Sequence, residues 1–257
     1  MSNPWVYRPK PNGLAVARLF CFHHAGVGGA VYRLWPNGLS DRLEVCAVQL
    51  PGRGGRLREP LISSVSAIVD ALLPALLPLL DRPFAVFGHS MGAVIGSEFV
   101  RALLERGGPV PEHLVVSGRR PAHVPDPQPL LSVLDDAAFV AEVDRRYGGI
   151  PSEVLADAEV MALLLPALRA DIAALETFHP GRRAPLPCPI SAFGGHQDHL
   201  TPRAHLEAWR DETLASCRVR VFPGDHFYLE AQRSLVLAEL SATLAPMLGE
   251  ATTVEAA

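Results

Sequence analysis

Residues 84–96 read FAVFGHSMGAVIG: a short run of large apolar side chains, then a serine with a glycine two residues away on either side, then apolar residues at helical spacing. The run FAVFG is bounded and apolar on both faces, which predicts a buried strand. From Ser90 onward, SMGAVIGSEFVRALLERGG puts Met91, Val94, Ile95, Phe99, Ala102 and Leu103 on one side of a helix, with Gly107 and Gly108 as its stop. Gly-His-Ser-Met-Gly therefore falls where a strand turns into a helix, and it matches G-x-S-x-G. In such a turn the serine is lifted clear of the sheet on a strained backbone. Gly88 and Gly92 remove side chains where strand and helix come closest.

Five further β-rich runs repeat the pattern of the first: 16–22, 43–50, 113–118, 189–195 and 218–224. Most are apolar on both faces and alternate with helical segments, which predicts a mostly parallel sheet covered by helices on both sides. The alternation fails between 118 and 189. There RRPAHVPDPQP reads as a proline-rich loop, and VLDDAAFVAEVDRRYGG and EVLADAEVMALLLPALRADIAALETF read as amphipathic helices with no strand between them. We therefore expect one domain, 1–257, carrying a helical lid insertion at 121–180. The tail EATTVEAA is expected to be disordered.

Composition narrows the function classes. With 23 basic and 27 acidic residues the net charge is −4, so no global cationic field draws nucleic acid or anionic membrane. The longest apolar run, Ala71–Leu80, is too short to span a bilayer and contains Pro74 and Pro78, so it reads as a kinked, buried helix at most. MSNPWVYRPKPNG lacks the apolar core of a signal peptide, and a cytoplasmic location is expected. Cys21, Cys46, Cys188 and Cys217 are too scattered for a zinc or redox motif, and are expected to be free and mostly buried.

A serine hydroxyl is a weak nucleophile unless a base takes its proton and an acid orients that base. In the order that goes with this elbow, the acid and then the histidine follow the serine at the ends of later strands. Asp198 follows PISAFGG and His226 follows RVRVFPG, so each sits in a loop just past a predicted strand. The oxyanion of acyl transfer needs two donors. One is the amide of Met91; the loop FHHAGVGGA after the first strand supplies the other, assigned to Ala25. This loop lacks G-x-G-x-x-G, which weighs against a dinucleotide site. HQDH at 196–199 lacks an H-E-x-x-H helix or an upstream histidine pair, and no metal or other cofactor is expected. His24, His89 and Phe227 are placed around the substrate.

Taken in order, LFCFHHAG, AVQLPGRGGRLREP, FGHSMGA, VSGRRPAH, LLLPALRADIAALETF, FGGHQD and VFPGDHFYL resemble the type II thioesterases, stand-alone α/β-hydrolases of polyketide and nonribosomal peptide synthesis. The resemblance runs from about Arg18 to about Leu248. It implies an α/β-hydrolase fold and a Ser90, Asp198, His226 triad, with the amides of Ala25 and Met91 as oxyanion donors. It also implies hydrolysis of stalled acyl groups from the phosphopantetheine arm of a carrier protein, by an enzyme that is usually monomeric. Two features depart from the family: His23 stands where proline is usual, and Val27 interrupts H-A-G-G. Arg53, Arg56, Arg58, Arg119 and Arg120 are candidates for contact with the phosphate or an acidic carrier surface. The competing readings are a carboxylesterase or lipase of small oxygen esters, which would use the same machinery, and a non-catalytic binding module, which would have a broken triad.

Overall fold

The computed structural model describes residues 3–249; the tail expectation for 250–257 lies outside the described residues. Seven strands form one sheet: β1 Val6–Tyr7, β2 Ala17–Phe22, β3 Leu43–Val48, β4 Phe84–His89, β5 His113–Ser117, β6 Ile190–Gly195 and β7 Cys217–Phe222. Their order is β1-β3-β2-β4-β5-β6-β7, with every pairing parallel except β1 against β3. This is the α/β-hydrolase architecture expected from the sequence. The two-residue β1 was not foreseen, because it is too short to carry a period.

The strands divide their side chains between two cores, as a period of two requires. Phe20, Phe22, Cys46, Val48, Phe84, Val86, Leu114 and Val116 enter the core on one face. Leu19, Cys21, Val45, Ala47, Ala85, Phe87, Val115 and Phe193 enter the core on the other. Helices α1 Val65–Leu76 and α2 Met91–Glu105 cover the first face. The run at 71–80 differs from the expectation. The helix starts earlier, passes through Pro74, stops at Leu76 and gives way to a 3-10 turn over Leu77–Leu79, so only its first half is a buried α-helix.

Between β5 and β6 lie α3 Asp136–Tyr147, α4 Ser152–Leu155 and α5 Ala158–Glu176. The sequence read the last two as one helix. They are separate because the Asp157 side chain accepts the amides of Glu159 and Val160, capping α5 at its own start. These helices enclose a small core of their own: Leu131, Phe139, Val143, Leu168 and Ile172. Ala25 packs against both this cluster and the core under α2.

Among the described residues three further α-helices follow: α6 Arg203–Glu207, α7 Tyr228–Ala231 and α8 Arg233–Leu244, the last burying Val236, Leu237, Leu240 and Leu244 on the second face. At the sheet edge β7 is largely exposed and carries Arg218 and Arg220, both facing Glu239 of α8. Charged side chains on an edge strand discourage pairing with another sheet. No helix among the described residues is long and apolar enough to cross a membrane.

Candidate active site

Ser90 stands between the last residue of β4 and the first of α2, with φ 52° and ψ −113°. Among the described residues it is the only non-glycine with positive φ. Such a conformation costs of order 1–3 kcal/mol and persists only when its surroundings impose it. Here the Ser90 amide donates to the Ser117 carbonyl at 2.8 Å, and the Ser90 carbonyl accepts from Ala93 at 3.1 Å. A Cβ on Gly88 would overlap the Gly92 carbonyl, and one on Gly92 would overlap the Phe22 carbonyl. The two glycines thus let β2, β4 and α2 close on the turn.

His226 lies in the loop after β7, with Nε2 3.0 Å from Ser90 Oγ and Nδ1 2.8 Å from Asp198 Oδ2. Asp198, in the loop after β6, accepts the amides of Leu200 and Thr201 on its other oxygen at 3.0 and 3.2 Å. Burial pushes the Asp198 carboxyl up, but the His226 hydrogen bond and charge and the two amides outweigh it, leaving it below its ordinary value. With the carboxylate ionised, Nδ1–H donates to it and the Nε2 lone pair accepts from the serine hydroxyl. All three side chains are buried. The amides of Ala25 and Met91 donate to no protein acceptor among the described residues.

The other histidines of the site are kept neutral. Burial, reinforced by His226, holds His24 down to about 4. Its ring meets Phe227 edge-on at 5.0 Å, and Phe227 in turn meets His226 at 5.2 Å. His23 is held to about 3 by burial and by Arg53, and its Nδ1 donates to the His24 carbonyl at 2.8 Å. His89 is also lowered, by burial and by the neighbouring His226 and His24; its Nδ1 pairs with Ser117 Oγ at 2.8 Å, which pairs with Tyr228 Oη at 2.6 Å.

The sequence missed Tyr147, whose ring packs 5.3 Å from that of His226. Its one signal is its place at the end of α3, ahead of Gly148 and Gly149. Tyr147 also borders a cleft of about 430 Å³ between α5 and the 119–130 loop, lined by Val94, Arg119, Ile172, Leu175 and Phe178. Ser90 does not line it, so Tyr147 stands between the cleft and the Ser90–His226 pair.

Three of the five arginines expected to contact a carrier are buried and paired within the chain. Arg53 is buried and paired with Asp171, Arg56 is buried against Glu59 and the Trp5 ring, and Arg120 is buried against Asp126. None of the three offers a free charge to an approaching protein. Arg119 is half-buried in the cleft beside the Tyr147 hydroxyl, and Arg58 is exposed. Among the described residues no group of three or more histidine, cysteine or acidic side chains is arranged to hold a metal ion.

A family model described as thioesterase domain matches residues 17–244. The chain belongs to the thioesterase family. This thioesterase is 41% identical to a Brevibacillus parabrevis protein named linear gramicidin dehydrogenase LgrE, over 93% of this chain and 92% of that one. Among solved structures it is similar to RedJ, a thioesterase from the prodiginine biosynthetic pathway in Streptomyces coelicolor. There the identity is 37% and the TM-score 0.84, over 90% of this chain and 86% of that one. It is also similar to YbtT, a type II thioesterase from the yersiniabactin NRPS/PKS pathway, at 28% identity and TM-score 0.84 over 95% and 99%. The resemblance read from the sequence motifs of the thioesterase is borne out by these matches.

Proposed function

We propose that the thioesterase hydrolyses acyl groups from the phosphopantetheine arm of carrier domains in a polyketide or nonribosomal peptide synthase, with Ser90, His226 and Asp198 as its triad. The observation that carries this reading is His226, whose two ring nitrogens lie 3.0 Å from Ser90 Oγ and 2.8 Å from Asp198. His226 Nε2 takes the hydroxyl proton as Ser90 Oγ attacks the thioester carbonyl, and Asp198 stabilises the imidazolium. The oxyanion of the tetrahedral intermediate accepts from the free amides of Ala25 and Met91. Collapse breaks the C–S bond and the departing sulfur takes the proton back from the His226 imidazolium; with a thiol pKa of about 8.5, this protonation is less demanding than for an alcohol or amine. Water, deprotonated by the same imidazole, then releases the acyl group from Ser90. The cycle calls on no cofactor of the enzyme's own.

The helical segment at 121–180 serves as lid, and its cleft between α5 and the 119–130 loop receives the acyl chain. Of the five arginines, Arg58, exposed in the loop after β3, is the one placed to meet an acidic carrier surface. A dehydrogenase, the activity in one relative's name, would need a nucleotide site, and the 23–29 loop has no G-x-G-x-x-G spacing. A non-catalytic module has no use for a strained serine held against a histidine. The test is intact-mass analysis of carrier proteins loaded with acetyl, propionyl, longer acyl and aminoacyl groups, beside oxygen esters of the same acids. Return of the carriers to their unloaded mass is expected. Activity on the oxygen esters alone would favour the carboxylesterase reading.

A further inference from the structure

Asp171, in the C-terminal part of α5, is fully buried and faces the loop that follows β2. Its Oδ2 accepts the Gly26 amide at 2.8 Å and Arg53 Nη1 at 2.5 Å, and its Oδ1 accepts Arg53 Nη2 at 2.9 Å. Arg53 Nη1 also donates to the Val27 carbonyl at 3.3 Å. Further along the loop, Gln49 Oε1 accepts the Gly29 amide at 3.0 Å, while its Nε2 donates to the Arg53 carbonyl at 2.9 Å. The loop is thus pinned at Gly26, Val27 and Gly29, and only the first pin comes from outside the sheet's own connections.

The peptide between Ala25 and Gly26 is gripped at both ends. Its carbonyl accepts from His24 Nδ1 at 3.1 Å, and its N–H donates to Asp171. Gly26 has φ +80°, and a Cβ there would stand 3.0 Å from Leu168 Cδ1, one turn before Asp171 in α5. Holding the 25–26 peptide fixes the C-terminal side of Ala25, while its own N–H belongs to the preceding peptide, whose His24 carbonyl accepts from His23 Nδ1 at 2.8 Å; the Ala25 N–H is left without a protein acceptor among the described residues. A buried Arg–Asp pair is weak as a source of stability, since apolar replacements of like volume are often neutral or stabilising. Its fixed geometry is what such replacements give up.

We propose that Asp171 is a positioning residue: through the Gly26 amide it sets the Ala25 N–H in the oxyanion-binding orientation, so that docking of α5 completes the hole. This rests on the assignment of Ser90 as nucleophile and Ala25 as donor. Withdrawal of α5 would release the C-terminal side of Ala25, leaving the 24–25 peptide held at its His24 carbonyl alone, so that the Ala25 N–H could tilt away from the tetrahedral intermediate. Losing a donor outright costs about 10²-fold to 10³-fold in rate, so misdirecting one is expected to cost about 10-fold to 100-fold.

Two double variants isolate the effect. Both remove the buried charges. Arg53→Met with Asp171→Asn keeps an acceptor oxygen for Gly26, whereas Arg53→Met with Asp171→Leu has none. Thermal midpoint, kcat and KM on acyl-N-acetylcysteamine thioesters, and affinity for a trifluoromethyl ketone that forms a tetrahedral adduct are measured on both. The first is expected to keep kcat within about threefold of the starting protein. The second is expected to lose about 10-fold to 100-fold in kcat and in ketone affinity, with KM within about twofold. Equal kcat in the two, whether high or low, overturns the proposal, as does a kcat loss with ketone affinity intact. If the double variants do not fold, Asp171→Asn is compared with Asp171→Ala on the same readouts and judged by the same outcomes. A fluorophosphonate that labels Ser90 in the unmodified enzyme keeps the underlying assignment standing while Asp171 is judged. Absence of that label overturns the nucleophile assignment, and this proposal with it.

Discussion

Gly92 lies against the carbonyl oxygen of Phe22 with no room for a methyl group between them. This contact brings the start of α2 against the end of β2, and it places the serine turn beside the loop that carries Ala25. Because the obstructing atom is backbone, it cannot swing aside. Gly92→Ala is therefore expected to cost about 3 kcal/mol or more and to leave little soluble protein. A urea midpoint equal to that of the unmodified chain would disprove the close approach.

Ser90→Ala and Asp198→Asn are expected to act on catalysis and not on the fold. The alanine removes the attacking oxygen, and thioester hydrolysis should fall by about 10⁴-fold or more. The asparagine keeps an oxygen for the Leu200 and Thr201 amides but turns an N–H₂ toward His226 Nδ1, favouring the wrong tautomer. A loss of about 10⁴-fold in kcat is expected, with the chain still folded and its thermal midpoint lowered by no more than the lost Asp198–His226 pairing accounts for. Full turnover by the Ser90→Ala protein would end its assignment as nucleophile.

Stability should fall on the acid side of neutrality. Burial holds His23 to about 3 and His24 and His113 to about 4, with His89 lowered as well. In the unfolded chain each protonates near the ordinary value of about 6.5, so below that pH the unfolded state binds the extra protons. Each contributes a loss of about 1.4 kcal/mol per pH unit from about 6.5 down to its folded value. Asp198, held below its ordinary value, stabilises the fold above about 3.9 and stops doing so as pH falls through its folded value. Urea midpoints measured from pH 7.5 to 4.5 should drop steeply; a flat profile would mean that these imidazoles are open to protons in the folded state.

Much of the site was legible because its chemistry sits at strand ends. Ser90, Asp198 and His226 each follow a strand whose apolar run is plain in the sequence, so order along the chain already implied convergence. Arg53 was misread for the opposite reason. GRGGRLRE looks like an exposed basic loop, and the carboxylate that draws Arg53 inward is 118 residues away, on a helix whose docking no local pattern reveals. Tyr147 was hidden in the same way, since its meaning comes from contact with a loop 79 residues later, at His226. The break at Asp157 was readable in principle, but an apolar period on both sides of a capping residue resembles one long helix.

The cleft predicts a size effect. Leu175 lines it on α5, so Leu175→Trp should fill part of its volume of about 430 Å³. Turnover of an eight-carbon acyl thioester is expected to drop about tenfold relative to acetyl, in line with the 1–3 kcal/mol of apolar discrimination a pocket can supply. Equal losses for both chain lengths would place the acyl group elsewhere.

The cysteines bear on where an acyl group can go. Cys21, Cys46 and Cys188 are buried and Cys217 is partly so, and burial raises all four thiols, Cys46 to about 12 and Cys188 to about 11. Thioester exchange requires a thiolate, and these sulfurs are kept protonated and shielded. A mislaid acyl chain accordingly finds no sulfur on the protein onto which it can migrate, and a colour reagent for free thiols will report the released product against little background from the enzyme itself.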